Sequence, residues 1–284
     1  MLKEDDPAEP SNLTGKDFVK QAIWLSDIHL EFLSFHEVHE FISAVRSRKP
    51  DITLLSGDIS NANSLVSYLQ LIGMELKIPV YFVLGNHDFY FSSFSQVRGE
   101  ITKLTQQSAY LWWLTALRVV ELSSTTALIG HDSWADGRYG DYYNSSIMMN
   151  DYFLIEDLKN LKPDDRLKML QSLGDMAADH FKELLPLACQ SYQQIVLLTH
   201  VPPFREACWH AGNISDDNAL PHFSCKVVGE VLSEVMQAHP KCNLTVLCGH
   251  THSSGVARVL PNLTVFTAEA KYGKPQVERI FEIE

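Results

Sequence analysis

Hydrophobic positions along the 284-residue chain alternate between short apolar runs and segments of helical period. Ala22-Ile-Trp-Leu25 is apolar and stops at Ser26-Asp27-Ile28-His29. Over 36–48, Val38, Phe41, Ile42 and Val45 share one helical face, and Pro50 ends the helix. Ile52-Thr-Leu-Leu-Ser56 has the near-continuous apolar character of a strand buried on both faces, and it stops at Gly57-Asp58. Leu65, Leu69, Ile72 and Leu76 predict a second helix. Val80-Tyr-Phe-Val-Leu84 is another buried strand, stopping at Gly85-Asn86-His87-Asp88. This alternation predicts βαβ units and a parallel sheet. Each strand meets a polar cluster at its carboxyl end, where open α/β sheets place their ligands.

The pattern is less regular further on. Ala127–Gly130 predicts a strand leading into His131-Asp-Ser-Trp-Ala-Asp-Gly-Arg138. Residues 141–190 predict a mainly helical insertion, interrupted at Pro163 and Gly174. Ile195–Thr199 predicts a strand stopping at His200, ahead of Pro202 and Pro203. Leu244–Cys248 predicts one stopping at Gly249-His250-Thr251-His252, and Leu263–Phe266 and Val277–Ile283 are strand-like. Residues 1–16 form a polar tail without periodicity, and no repeat or linker divides 17–284, which is expected to be a single domain.

Charge narrows the partners. With 23 Lys and Arg against 35 Asp and Glu, the formal net charge is −12. That disfavours a nucleic acid as partner, without excluding nuclease activity, and disfavours docking on an anionic membrane. No apolar run approaches the roughly 18 residues that span a bilayer. The acidic start lacks a secretory h-region. The five cysteines are an odd number and form no Cys-x-x-Cys pair, so reduced thiols and a cytoplasmic location are expected.

Collected in order, the strand ends supply Asp27-x-His29, Gly57-Asp58, Gly85-Asn86-His87-Asp88, His200 and Gly249-His250-x-His252. Imidazoles, carboxylates and one amide suit Mn, Fe, Zn, Co or Ni better than Ca or Mg, and the thiolates of a structural zinc site are missing. Asp-x-His and His-x-His have period two, so on an extended strand end both side chains face one ion. Gly57, Gly85 and Gly249 are expected to let the backbone turn sharply.

These five blocks, in this order and spread over most of the chain, resemble the signature of the calcineurin-like metallophosphoesterase superfamily: D-x-H, G-D, G-N-H-[DE], a lone His, then G-H-x-H. The resemblance implies a four-layer αββα sandwich with two mixed sheets. It implies two divalent transition-metal ions bridged by Asp58, one held by Asp27, His29 and His252 and the other by Asn86, His200 and His250. Asn86 also counts as a substrate contact. His87 is implied to stabilise or protonate the leaving oxygen, a task suited to an imidazolium. The protein Ser/Thr phosphatases of this superfamily carry G-D-x-x-D-R-G. Here Asn61 replaces the second Asp and the Arg-Gly is absent, so the chain looks like a bacterial-type phosphoesterase, and the partner of His87 is left unidentified.

Two metals suit a phosphate ester because its anion repels nucleophiles. A pair of ions clamps the phosphoryl oxygens and acidifies a water, whose hydroxide can then attack phosphorus. The expected activity is hydrolysis of a small-molecule phosphate ester, monoester or diester. The alternative is a non-catalytic interaction scaffold on the same fold, which would be expected to lose a ligand or His87; here every position is filled. Arg138 is a candidate for holding a substrate phosphate, unless it pairs with Asp132, Asp136 or Asp141. Trp134 is a candidate stacking platform, with core packing the stronger expectation. His36-Glu37-Val38-His39 does not meet the H-E-x-x-H order and is expected to be a solvated helix face. Cys208, His210, His222 and Cys225 are expected to be structural or to sit in a substrate loop.

Overall fold

The structure, a computed structural model, describes residues 20–283. The expected polar tail lies outside the described residues. The first half runs β1 (Gln21–Leu25), α1 (Phe35–Ser47), β2 (Ile52–Ser56), α2 (Ala62–Leu76), β3 (Val80–Val83), α3 (Phe94–Gln106) and β4 (Leu111–Trp113). The second half runs β5 (Val120–Glu121), β6 (Thr126–His131), α4 (Asp151–Leu154), α5 (Pro163–Ser191), β7 (Gln194–Thr199), β8 (Trp209–His210), β9 (Asn213–Ile214), α6 (Leu220–Phe223), α7 (Lys226–Ala238), β10 (Asn243–Cys248), β11 (Gly255–Leu260), β12 (Leu263–Thr267) and β13 (Arg279–Glu282).

Two mixed sheets face each other. One has the order β13-β1-β2-β3-β4, with β1 to β4 parallel and β13 antiparallel at the edge. The other has the order β11-β12-β10-β7-β6-β5, with four parallel central strands and an antiparallel strand at each edge. Strand periodicity explains the continuous apolar runs. Leu55 packs towards α1 and α2, while Ile52 and Leu54 pack against the other sheet. Leu244 and Val246 pack towards α5 and α7, and Leu247 faces the first sheet. The result is the four-layer sandwich that the resemblance implies. Among the described residues, no helix is long and apolar enough to cross a membrane.

Helix starts follow local chemistry. Ser34 and Glu37 form a capping box at α1. Asn61 caps α2, its Oδ1 accepting from Asn63 N at 3.1 Å. The helical stretch expected over 141–190 needs correction. Residues 141–150 carry no helix, and α5 starts at Pro163 and continues through Gly174 and Pro186. A proline at the first helical position costs no hydrogen bond. Gly174 is there for space: a Cβ would lie 2.8 Å from the Asp136 Cβ. Nor is α5 an insertion, since with α7 it forms the outer layer on the second sheet.

Asp132, at the end of β6, ties the two sheets together. Its buried Oδ1 accepts from Leu84 N at 2.8 Å, Trp113 Nε1 at 2.9 Å and Thr115 Oγ1 at 2.7 Å. Removing the carboxylate strands two N–H donors in the interior. Asp132→Ala is therefore expected to lower stability by about 2–4 kcal/mol. Urea denaturation checks this, and a midpoint equal to wild type would show that the tie contributes nothing.

Candidate metal centre

The loops after β1, β2, β3, β7 and β10 meet at one edge of the sandwich. Asp27, His29, Asp58, His250 and His252 all have left-handed backbone, with φ of 47°, 41°, 50°, 70° and 55°. Such conformations are costly for non-glycine residues and concentrate at functional sites. Cross-loop hydrogen bonds hold them: Asp27 N donates to Gly57 O at 3.0 Å, His29 N to Asp58 O at 3.0 Å, and Gly249 N to His200 O at 2.9 Å. Gly57, at φ +90°, makes the expected sharp turn. Gly85 and Gly249 serve close approach instead. A Cβ at Gly85 would meet Asp58 Oδ1 at 2.2 Å, and one at Gly249 would meet Asp27 Oδ2 at 1.9 Å.

The structure brings all seven expected ligand residues together. Donor atoms of Asp27, His29, Asp58 and His252 lie within 4.8 Å of one another. His29 Nε2 is 3.1 Å from His252 Nε2 and 3.7 Å from Asp58 Oδ2, and His252 Nε2 is 3.4 Å from Asp27 Oδ1. On the other side, His200 Nε2 and His250 Nδ1 lie 3.1 and 3.0 Å from Asn86 Oδ1, with Asp58 Oδ1 3.4 Å from His200 Nε2. Asp58 thus presents one oxygen to each group.

Hydrogen bonds behind this second group orient its lone pairs. His200 Nδ1 donates to Ser56 O at 2.9 Å, and His250 Nε2 donates to His222 O at 3.1 Å. With neutral rings, that leaves His200 Nε2 and His250 Nδ1 as acceptors. Asn86 Nδ2 donates to Asp151 Oδ1 at 2.8 Å, which turns its Oδ1 towards both histidines. Three acceptors therefore converge without a donor, an arrangement that a cation satisfies. The donor set fits a pair of divalent ions.

Electrostatics agree. Burial raises the Asp58 carboxyl well above the usual range, and the charge of Asp27 adds to the effect. Burial also pushes Asp27 up, but its hydrogen bond with His252 and the other imidazoles around it outweigh this and hold Asp27 low. Burial pushes His200 down to about 4 and His250 down to about 3, the latter helped by His200. The imidazoles are thus kept neutral, the form that binds metal.

His87 lies beside this cluster. Its ring is 4.6 Å from that of His29 and 4.2 Å from that of Tyr90, and its Nδ1 is 3.8 Å from Glu31 Oε1. Glu31 is the carboxylate nearest its Nδ1, and it stands equally 3.8 Å from His29 Nδ1. Burial raises its carboxyl, but the two imidazoles beside it outweigh this and bring it down to about 2. Asp88 is a loop tie, accepting from Ile59 N, Ser60 N and Gly85 N at 2.8–3.0 Å. Asn61 is spent on its cap.

Arg138 is engaged by Asp136 at 3.1 Å, one of its three expected partners, and by Asp175 at 2.7 Å. Both sides of its fork are occupied by carboxylates, which favours the ion-pair alternative over phosphate binding. Trp134 is buried against Phe89 and Phe94, as core packing predicts. His36 is exposed on α1. All five cysteines are free.

The family model of calcineurin-like phosphoesterases matches residues 22–254. Among solved structures, the chain is similar to the phosphopantetheinyl hydrolase of Mycobacterium tuberculosis, with a TM-score of 0.65 and 12% identity over 89% of this chain and 90% of that one. It is also similar to a dimetal phosphatase of Danio rerio, with a TM-score of 0.56 and 13% identity over 89% of this chain and 88% of that one. At these identities the likeness is one of fold. A transmembrane protein with a metallophosphoesterase domain from Bos taurus is 29% identical over 116 residues, which are 39% of this chain and a quarter (25%) of the bovine one.

The histidine environment has a pH signature. In the metal-free protein, His200 and His250 are expected to stay neutral down to about pH 5, because their values lie near 4 and 3 rather than 6.5. The unfolded chain takes up these protons at a higher pH. The stabilisation due to each neutral ring is therefore full above about 6.5 and is lost as pH falls through that window. Imidazole NMR checks it: titration of both rings near 6.5 would contradict the burial argument.

Proposed function

The chain belongs to the calcineurin-like phosphoesterase family, and from that premise we propose that it hydrolyses small-molecule phosphate esters at the seven-residue cluster. As a member it is a metal-dependent phosphoesterase working with two divalent ions. Asp27, His29 and His252 would hold one ion, Asn86, His200 and His250 the other, and Asp58 both. The observation that carries this assignment is Asp58, whose Oδ2 faces His29 while its Oδ1 faces His200. When bound, the ions supply positive charge against the phosphoryl oxygens and acidify water.

The protein groups then divide the work. Asn86, turned by Asp151, directs an amide oxygen into the second group of donors. His87 stands at the edge of the first group with Glu31 on its Nδ1 side. That arrangement orients the ring and leaves Nε2 to give a proton to the leaving oxygen. The commitment of Asn61 to its cap supports a reading outside the protein Ser/Thr phosphatase branch, among the bacterial-type enzymes. The same chemistry serves monoesters and diesters. Five free thiols and a charge of −12 support a cytoplasmic enzyme acting on small esters in preference to nucleic acid.

A screen of phosphomonoesters, cyclic nucleotides, dinucleotides and bis(p-nitrophenyl) phosphate after Mn²⁺ reconstitution tests the activity. Elemental analysis showing no uptake of Mn²⁺, Fe²⁺, Co²⁺, Ni²⁺ or Zn²⁺ would refute it. Asp58→Asn is expected to weaken both metal sites and Asp27→Asn mainly one, so metal content per chain separates the two variants. Full content and full rate in Asp58→Asn would remove the bridge.

His87→Ala is expected to leave metal content intact while lowering kcat about 10²–10⁴-fold on an alkyl ester. The loss should shrink on a p-nitrophenyl ester, whose leaving group needs little help from a proton. Equal losses on both esters, carried mainly by KM, would make His87 a phosphate-binding residue.

A further inference from the structure

Beside the His250 edge of the cluster lies a cleft of about 490 Å³. Its walls come from the β8–β9 hairpin, α6 and the 147 loop, and they include Trp209, Ile214, Phe223 and Ile147. Two contacts join it to the centre. Phe223 packs its ring 5.1 Å from that of His250, and Thr251, between His250 and His252, lines the cleft.

The walls are built rather than loose. Ser146 N donates to Asn218 Oδ1 at 2.8 Å, and Ser145 Oγ donates to Asn218 O at 2.7 Å. The Tyr152 hydroxyl meets His222 Nδ1 at 2.7 Å. Trp209 lies against the bare backbone of Gly255, where a Cβ would come within 2.1 Å of its Nε1. That Nε1 is buried without a partner. The lining contains no lysine or arginine, and its titratable members are Asp216 and His210. A cleft of this size, chiefly apolar with a few polar groups, suits a small organic ligand. With a carboxylate present and no fixed cation, it repels a second phosphate or a carboxylate.

We propose that this cleft receives the organic group of the substrate ester, and that this group is uncharged and largely apolar. The proposal rests on the phosphoesterase reading above and adds the substrate class to it. Phosphate bound at the metal cluster places the ester's organic group against Phe223 and Thr251. From there Trp209, Ile214 and Ile147 offer it apolar surface. Esters of hydroxylated or charged alcohols, such as glycerol 3-phosphate or phosphoserine, would gain nothing from that surface.

The test separates the cleft from the chemistry. With metal-loaded protein, phosphate release is measured for methyl, butyl and hexyl phosphate. Binding of methylphosphonate and hexylphosphonate, which are not hydrolysed, is measured by calorimetry. In wild type, kcat/KM is expected to rise about three- to fourfold per methylene buried, and hexylphosphonate is expected to bind correspondingly tighter than methylphosphonate. Ile214, at 39% exposure, tolerates substitution without disturbing the core. Ile214→Asp is expected to flatten both series. Equal binding of the two phosphonates to wild type, or tighter binding of glycerol 3-phosphate than of hexylphosphonate, overturns the proposal. Tighter hexylphosphonate binding with no hydrolysis of any ester upholds the cleft and removes the phosphoesterase reading instead.

Discussion

Two buried carboxylates, Asp27 and Asp58, each bring an oxygen to within 4.8 Å of the other. At an effective dielectric of about 20, two like charges that close repel by on the order of 3 kcal/mol. The rest of the edge is arranged around that cost. Asp27 is held low chiefly by its hydrogen bond with His252, and the carboxyl of Asp58 is driven towards its protonated form. Burial keeps His200 and His250 neutral, so they cannot act as counter-charges above about pH 5. What remains to neutralise the pair is a multivalent cation, and the lone pairs aimed inward by His29, His252, Asn86, His200 and His250 supply its other bonds.

The same constraint accounts for the backbone. Five strand ends, those of β1, β2, β3, β7 and β10, must bring their polar residues within a few ångströms, so the chain turns immediately after each strand. Left-handed residues at Asp27, Asp58 and His250 make those turns, and Gly85 and Gly249 clear space for the carboxylates of the neighbouring loops. Each strained loop is bonded to the next through Asp27 N to Gly57 O and Gly249 N to His200 O. The strain is therefore shared across a connected network anchored in two sheets, and Asp132, just after β6, couples those sheets through Leu84, just after β3, and Trp113 on β4.

Much of this was legible in the sequence because it depends on adjacency. A strand end followed at once by its ligand residues leaves both the element and the donor in one short word, as in Leu25-Ser-Asp-Ile-His29 or Cys248-Gly-His-Thr-His252. The resemblance to a known family then supplied the two-sheet arrangement, which periodicity alone carried only as far as the first βαβαβ half. Residues that act from elsewhere left no such mark. Asp151 orients Asn86 from 65 positions away, and the carbonyl of His222 orients His250 as any residue's carbonyl would. Glu31 reaches His87 only because the left-handed turn at His29 folds it back. Proline and glycine usually punctuate helices, so Pro163 and Gly174 predict breaks in α5, whereas here one starts the helix and the other admits a neighbour's side chain.

The molecule separates what is common to the chemistry from what chooses the substrate. The candidate metal ligands come from the ends of strands whose side chains are largely buried on both faces, so their positions are fixed by the two cores. The cleft is walled chiefly by segments outside either large sheet: the β8–β9 hairpin with its two-residue strands, the four-residue α6, and loop 147. These walls are tied to one another by side-chain bonds through Asn218 and His222, and they meet the centre at Phe223 and Thr251. Wall residues away from those contacts, such as Ile214 and Ile147, touch the cleft without bonding to a candidate ligand residue. Residues at the strand ends do not stand apart in this way, because Asp58 serves both groups of donors and each loop leans on its neighbour.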